Sequence, residues 1–223
     1  MSDRFLTIDA APGAGADVEL EIRRSRFLTR IRRVRSEDEA RAVIEERRST
    51  LFDARHHCSA FILGPDGRTA RSSDDGEPAG TAGIPMLTAL QRGGLTDVVA
   101  VVTRYFGGVK LGAGGLVRAY TDAVAQAMDA TGLREVRLNT ILRIDVDFAS
   151  AGAIEDQLRG LVLLSGTALV VDGVEWSDRA HIRVAVPSNS VGELDTALAG
   201  LSAGSLSAVP VDQRWTDVGR VSA

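Results

Sequence analysis

Between residues 18 and 24 apolar and charged side chains alternate, with Val18, Leu20 and Ile22 on one side and Glu19, Glu21 and Arg23 on the other. A period of two predicts a strand with one buried face, and a second strand follows at about 26–35. Ser36 and Glu39 stand at capping-box spacing, and Ala40, Val43 and Ile44 fall on one side of the helix they open. Strands are predicted at 56–64 and 68–72, joined by Gly64-Pro65-Asp66-Gly67, a strong turn signal. Pro85 suits the first turn of a short helix that stops at Gly93-Gly94. Residues 98–102 (Val-Val-Ala-Val-Val) form an unbroken apolar run, the mark of a central strand covered on both faces. A long helix is expected from about 113 to 131, ended near Gly132. The small residues of 10–17 predict that 1–17 is a flexible tail, so the first domain spans 18–137.

A simpler pattern fills 138–215. Leu142, Ile144, Val146 and Phe148 alternate with Arg143, Asp145 and Asp147 as a strand. Ser150 is placed to cap a helix carrying Ile154, Leu158 and Leu161. Strands follow around 168–175 and 180–186, then a second capping box at Ser190 and Glu193 with a helix bearing Leu194, Leu198 and Leu201. An extended piece from 208 to 215 ends the domain, and 216–223 is expected to be a tail. The order β-α-β-β-α-β is the ferredoxin-like split βαβ arrangement. The fold class is therefore α+β in two domains.

Length agrees with two domains: 223 residues is long for one and ordinary for two. No apolar run approaches the roughly 20 residues of a membrane helix, the N-terminus lacks a secretory apolar region, and Cys58 is the lone cysteine. Together these predict a cytoplasmic protein with no membrane association. The net charge of −4 is unevenly spread, since 139–223 hold 6 basic against 11 acidic side chains. The densest basic run, Arg23, Arg24, Arg26, Arg30, Arg32, Arg33 and Arg35, reads as a solvated strand face before it reads as a footprint for phosphate backbones.

Candidate chemistry gathers in three places. In His56-His57-Cys58, neighbours on a strand point to opposite faces, so the two histidines do not readily share a metal. Cys58 shares a face with Ala60 and Ile62 and is assigned to packing, while His56 or His57 could border a groove. The turn holding Asp74, Asp75 and Glu77 is assigned first to loop architecture, with its carboxylates on loop amides or on Arg71 and Arg104, then to metal binding, then to acid–base work; its spacing is not that of a calcium loop. The third place is 103–120. Five glycines between 107 and 115 lead from the buried strand into the long helix, with Arg104, Lys110 and Arg118 around them. Glycine lets backbone approach a ligand, and a helix N-terminus attracts anions. Neither standard phosphate-loop fingerprint is met. Arg104, Lys110, Arg118, Gly114 and Gly115 are the candidate phosphate contacts, and Tyr105 or Phe106 the candidate base-stacking rings. No catalytic residue, metal or cofactor is assigned.

Two blocks carry a resemblance. Residues 71–83 read Arg-Ser-Ser-Asp-Asp-Gly-Glu-Pro-Ala-Gly-Thr-Ala-Gly. Residues 102–120 read Val-Thr-Arg-Tyr-Phe-Gly-Gly-Val-Lys-Leu-Gly-Ala-Gly-Gly-Leu-Val-Arg-Ala-Tyr. These resemble the signature blocks of the IMPACT family in its bacterial, YigZ-type form, with lesser likeness at 54–60 and 25–27. Ala79 and Ser59 stand where the family often has other residues. The resemblance implies a first domain similar to domain IV of elongation factor G and to a small-subunit ribosomal protein fold, and a second similar to elongation-factor ferredoxin-like modules. It also implies kinship with eukaryotic regulators of translation, whose extra N-terminal partner-binding domain is not expected here. It transfers no catalytic residue.

The expected function is a translation-associated regulatory protein contacting RNA or the ribosome through the cationic glycine-rich loop, with a protein partner in the translation apparatus also in view. Two rivals stand beside it: a metal-assisted enzyme acting on a small phosphorylated or acidic substrate, and a protein–protein adaptor.

Overall fold

The structure is a computed structural model and describes residues 3–11 and 13–221. The chain divides into two compact units. One runs through Val136 and takes back the chain from Asp217; the other is Arg137–Thr216.

The first unit contains β1 (Arg4–Ile8), β2 (Gly15–Ile22), β3 (Ser25–Arg33), α1 (Glu37–Thr50), β4 (His56–Leu63), β5 (Thr69–Ser73), α2 (Gly83–Arg92), β6 (Val98–Tyr105) and α3 (Ala113–Thr131). Its sheet has the order β2-β3-β6-β4-β5 with antiparallel neighbours throughout. β6 takes the centre because it is apolar on both sides. Val98, Ala100 and Val102 join Phe27, Cys58 and Ile62 in a core with residues of α2 and α3. Val99 and Val101 join Phe61 and the α1 residues Ala40 and Val43 in a second core. Helices thus cover both faces. At Ser36 the capping reading takes a slightly different form: its hydroxyl accepts the Glu39 amide at 3.2 Å, while the Glu39 carboxylate reaches the Arg35 amide at 2.8 Å.

The arginine run is largely neutralised in place. Arg26 bonds Glu19, Arg30 bonds Asp17 and Glu46, and Arg32 shares Glu46. Cross-strand pairs of this kind stabilise a sheet surface.

The second unit takes most of β7 (Leu133–Val146), then α4 (Phe148–Arg159), β8 (Val170–Trp176), β9 (Ala180–Pro187), α5 (Val191–Ser202) and most of β10 (Ala208–Val221). β7 lies between β9 and β10, and β9 continues to β8. That is the split βαβ order. Leu142, Ile144, Ile182 and Val184 meet Leu158, Leu194 and Leu198 of the helices in one core.

Four expectations need correction. The flexible tail at 1–17 gives way to β1, whose Thr7 and Ile8 are fully buried and which hydrogen-bonds β7, and to the start of β2. The tail at 216–223 gives way to β10, which runs on to Val221 because Asp217 and Arg220 find ion-pair partners. The parts of these two expectations at residues 1, 2, 12, 222 and 223 lie outside the described residues. Ser150 sits inside α4, which begins at Phe148 after Asp147. Ser190 makes no side-chain cap, and the other half of the expected box is also absent, since Glu193 accepts the Ser165 amide.

Candidate functional site

The residues singled out by sequence converge at one end of the first unit's sheet. Register sets Arg104 directly across from Phe27 on one side and His56 on the other, and directly opposed residues share a face. The chain then leaves β6 through Tyr105 and Phe106, turns at the glycines and enters α3. Between these segments lies a cavity of about 680 Å³ lined by Asp53, Ala54, Arg55, His56, Glu77, Pro78, Arg104, Tyr105, Phe106, Lys110, Leu111, Gly112, Ala113 and Leu116.

Two glycines shape its rim for different reasons. A β-carbon on Gly107 would fall 2.0 Å from the Arg24 carbonyl carbon, so the loop crosses the β2–β3 turn at a distance only glycine permits. Gly112 has φ 73° and ψ 166°, a region open essentially to glycine alone. α3 starts just after it without a side-chain cap, and its first intrahelical bond runs from the Leu116 amide to the Gly112 carbonyl. The amides of Ala113, Gly114 and Gly115 are therefore not used by the helix.

Below the rim a buried ion pair forms the floor. Arg104 Nη1 donates to Glu77 Oε1 at 2.8 Å, and both side chains are almost wholly buried. Tyr120 donates its hydroxyl to the same oxygen at 2.8 Å, and Cys58 Sγ lies 3.3 Å from that hydroxyl. The Arg104 guanidinium also lies 5.5 Å from the Phe27 ring centroid and 5.6 Å from that of Phe106, within reach of a cation–π attraction. Burial pushes the Cys58 thiol up to about 12 and raises the Tyr120 phenol as well. Neither is an ionisable nucleophile near neutral pH.

The acidic turn is built of committed carboxylates. Asp74 accepts the amides of Gly80 at 2.8 Å, Ala82 at 3.0 Å and Gly83 at 2.8 Å. Burial would raise its carboxyl, but these three bonds together outweigh burial and hold it below the ordinary range. Asp75 accepts the His57 amide at 2.7 Å and pairs with Arg48 at 2.8 Å. Its carbonyl takes a hydrogen bond from His56 Nδ1 at 2.9 Å. A carbonyl only accepts, so that nitrogen carries its proton and a neutral His56 presents Nε2 as an acceptor. Of the two arginines expected to meet this turn, Arg104 does so through Glu77, whereas Arg71 bonds the Ala70 carbonyl.

Of the candidate residues, the cavity brings together His56, Glu77, Arg104, Tyr105, Phe106 and Lys110. Lys110 is exposed and forms no ion pair among the described residues, whereas Arg104 has its charge committed to Glu77. Tyr105 donates to Asp53 at 2.7 Å, and that bond raises its phenol above the ordinary value. Gly114, Gly115 and Arg118 lie on the first turns of α3 and do not line the cavity. His57 is buried behind it, 3.1 Å from Thr103, and burial lowers its pKa. Asp74 and Asp75 hold the turn from outside.

Sequence reasoning missed Arg55, Asp53 and Tyr120. Tyr120 could have been found: with Leu116, Ala119 and Ala123 it falls on the buried side of α3, and a buried phenol needs a hydrogen-bond partner. Nothing local marks Asp53.

Comparison with known proteins meets the chain at this region. The Impact N-terminal domain model matches residues 23–128, which hold every residue lining the cavity. The IMPACT family member YigZ of Escherichia coli (strain K12) is 36% identical over 208 residues, covering 91% of this chain and 97% of that protein. The IMPACT family member YvyE of Bacillus subtilis (strain 168) is 44% identical over 141 residues, covering 63% of this chain and only 65% of that protein's length. A solved structure described as that of a hypothetical protein is 35% identical, has a TM-score of 0.59, and is matched over 95% of this chain and 99% of that one.

Proposed function

Because the chain belongs to the IMPACT family, we propose that it is a regulatory binding protein of translation that contacts RNA or the ribosome at the mouth of this cavity. The observation that carries the reading is the uncommitted positive charge there. Lys110 stands exposed on the glycine-rich loop, next to helix amides that α3 leaves unbonded. A phosphate group is the natural complement of such a rim. Arg118 extends the same positive charge along the exposed side of α3. Arg104 has a different role from the one its sequence position suggests: it anchors the floor and supports Phe106.

The test is co-sedimentation with ribosomes at several salt concentrations. Binding should fall steeply with salt, and Lys110→Ala should shallow the slope of log K against log salt by about one. An affinity that ignores salt and survives loss of both Lys110 and Arg118 would remove the loop from the interaction.

The metal-assisted enzyme reading gains nothing from the acidic turn, whose carboxylates are occupied by amides and guanidinium groups.

A further inference from the structure

The cavity is chemically graded from floor to rim. At the floor, Glu77 Oε1 receives both Arg104 and Tyr120, while Oε2 receives no hydrogen bond among the described residues. Glu77 lines the cavity, so this oxygen is open to a donor there, from water or from a ligand N–H or O–H. At the rim the positive charge has no such counter-charge among the described residues, with Lys110, Arg55 and the open amides of α3. Phe106 belongs to the same wall and leaves 58% of its surface exposed, although Arg104 lies against its ring. A large exposed aromatic beside a polar pocket is the usual form of a stacking platform.

A bare anion would answer only the rim, because it brings no donor to the open Glu77 oxygen at the floor. An apolar ligand would leave both ends unanswered. The complementary molecule carries an anionic group, a flat π-face and an N–H or O–H donor. We infer that the cavity takes one nucleotide, its phosphate at Lys110 and the α3 N-terminus, its base against Phe106, and a base or sugar donor on Glu77 Oε2. The volume of about 680 Å³ lies within the range of small-ligand sites. An unstacked RNA nucleotide and a free mononucleotide offer the same groups. This inference deepens the reading above and rests on it only for the RNA source.

The experiment titrates the full-length protein separately with AMP, GMP, CMP, UMP and inorganic phosphate, following backbone amides by NMR. At least one mononucleotide should shift the amides of residues 107–116, with inorganic phosphate at least tenfold weaker. Phe106→Ala should weaken that mononucleotide about tenfold, the size expected for one stacked base, and Lys110→Ala should weaken it and lower its salt dependence. Glu77→Gln replaces an accepting oxygen at the floor by an amide and should alter the order of preference among the four bases; if it does not fold, the Phe106 and Lys110 variants carry the test. Inorganic phosphate binding as tightly as every mononucleotide would overturn the inference. So would unshifted 107–116 amides at millimolar nucleotide, and in that case salt-dependent ribosome binding would leave the RNA reading standing. Mononucleotide binding without ribosome binding would support the inference and reverse the RNA reading.

Discussion

Glu77 decides how the site holds together. One of its oxygens takes two strong donors, and Arg104 Nε remains buried without a partner among the described residues. A charged group in that position is expensive unless its counter-charge stays. Glu77→Ala should therefore destabilise the first unit by about 3–5 kcal/mol, the range for a broken buried pair. Cys58 offers a direct readout, because it is fully buried and its thiol is held up to about 12. In the native protein it should resist iodoacetamide at pH 8; in Glu77→Ala, labelling followed by mass spectrometry should be faster by about a hundredfold or more, since 1.4 kcal/mol is a factor of ten in the open population. Equal labelling rates would mean that the pair contributes little. Glu77 and Arg104 are each visible in the sequence as charged residues beside glycines. Their meeting across 27 positions is not, because a tertiary ion pair leaves no periodic trace. Charges that look available for a ligand in the sequence neutralise one another in the fold.

Among the elements, the patterned ones are legible in the sequence and the short ones are not. The apolar run of β6, the 19-residue α3 and the alternating strands follow directly from periods of two and 3.6. β1 does not, because five residues beside a small-residue stretch give too little pattern, and its burial is supplied by distant chain. The loop from β6 to α3 tests whether its glycines serve shape or ligand approach. Gly112 sits at a glycine-only backbone conformation, so Gly112→Ala should cost about 1–3 kcal/mol through strain. Gly114 lies inside the first turn of α3, where an added β-carbon would meet nothing within 4 Å. Gly114→Ala should therefore stabilise the protein by about 0.5–1 kcal/mol. Urea denaturation checks both signs. If Gly114→Ala stabilises the fold yet weakens ribosome binding, that glycine is present for the ligand; if binding is unchanged, Gly114 is not required by the ligand.

The whole molecule is organised by a return of the chain through residues whose sequence reads as a tail. Residues 137–216 are an insertion in the first unit, which is completed by the segment from Asp217. The side chain of Arg33 is only 2% exposed, and Asp217 meets it with two bonds of 2.7 Å, both within the first unit. In the linear sequence these residues lie 184 positions apart. Arg33 reads there as one more arginine of a solvated strand, which is why its burial is not legible. The pair makes the first unit's stability depend on the end of the chain. Asp217→Asn should cost about 2–3 kcal/mol, below the 3–5 of a fully enclosed pair because Asp217 keeps contact with solvent. Replacing Arg33 by Met and Asp217 by Leu together should recover most of the loss, since an apolar pair of similar volume needs no counter-charge. The acid limb supplies a second check. The Arg33 hydrogen bond holds the Asp217 carboxyl below its ordinary value despite partial burial. A depressed carboxyl contributes its full stability above the unfolded value near 4 and loses it as pH falls through the folded value. Unfolding free energy measured from pH 6 downward should therefore fall less steeply in Asp217→Asn than in the native chain once pH passes below about 4. Parallel curves would mean that Asp217 is not coupled to folding, and that the first unit closes without its last strand.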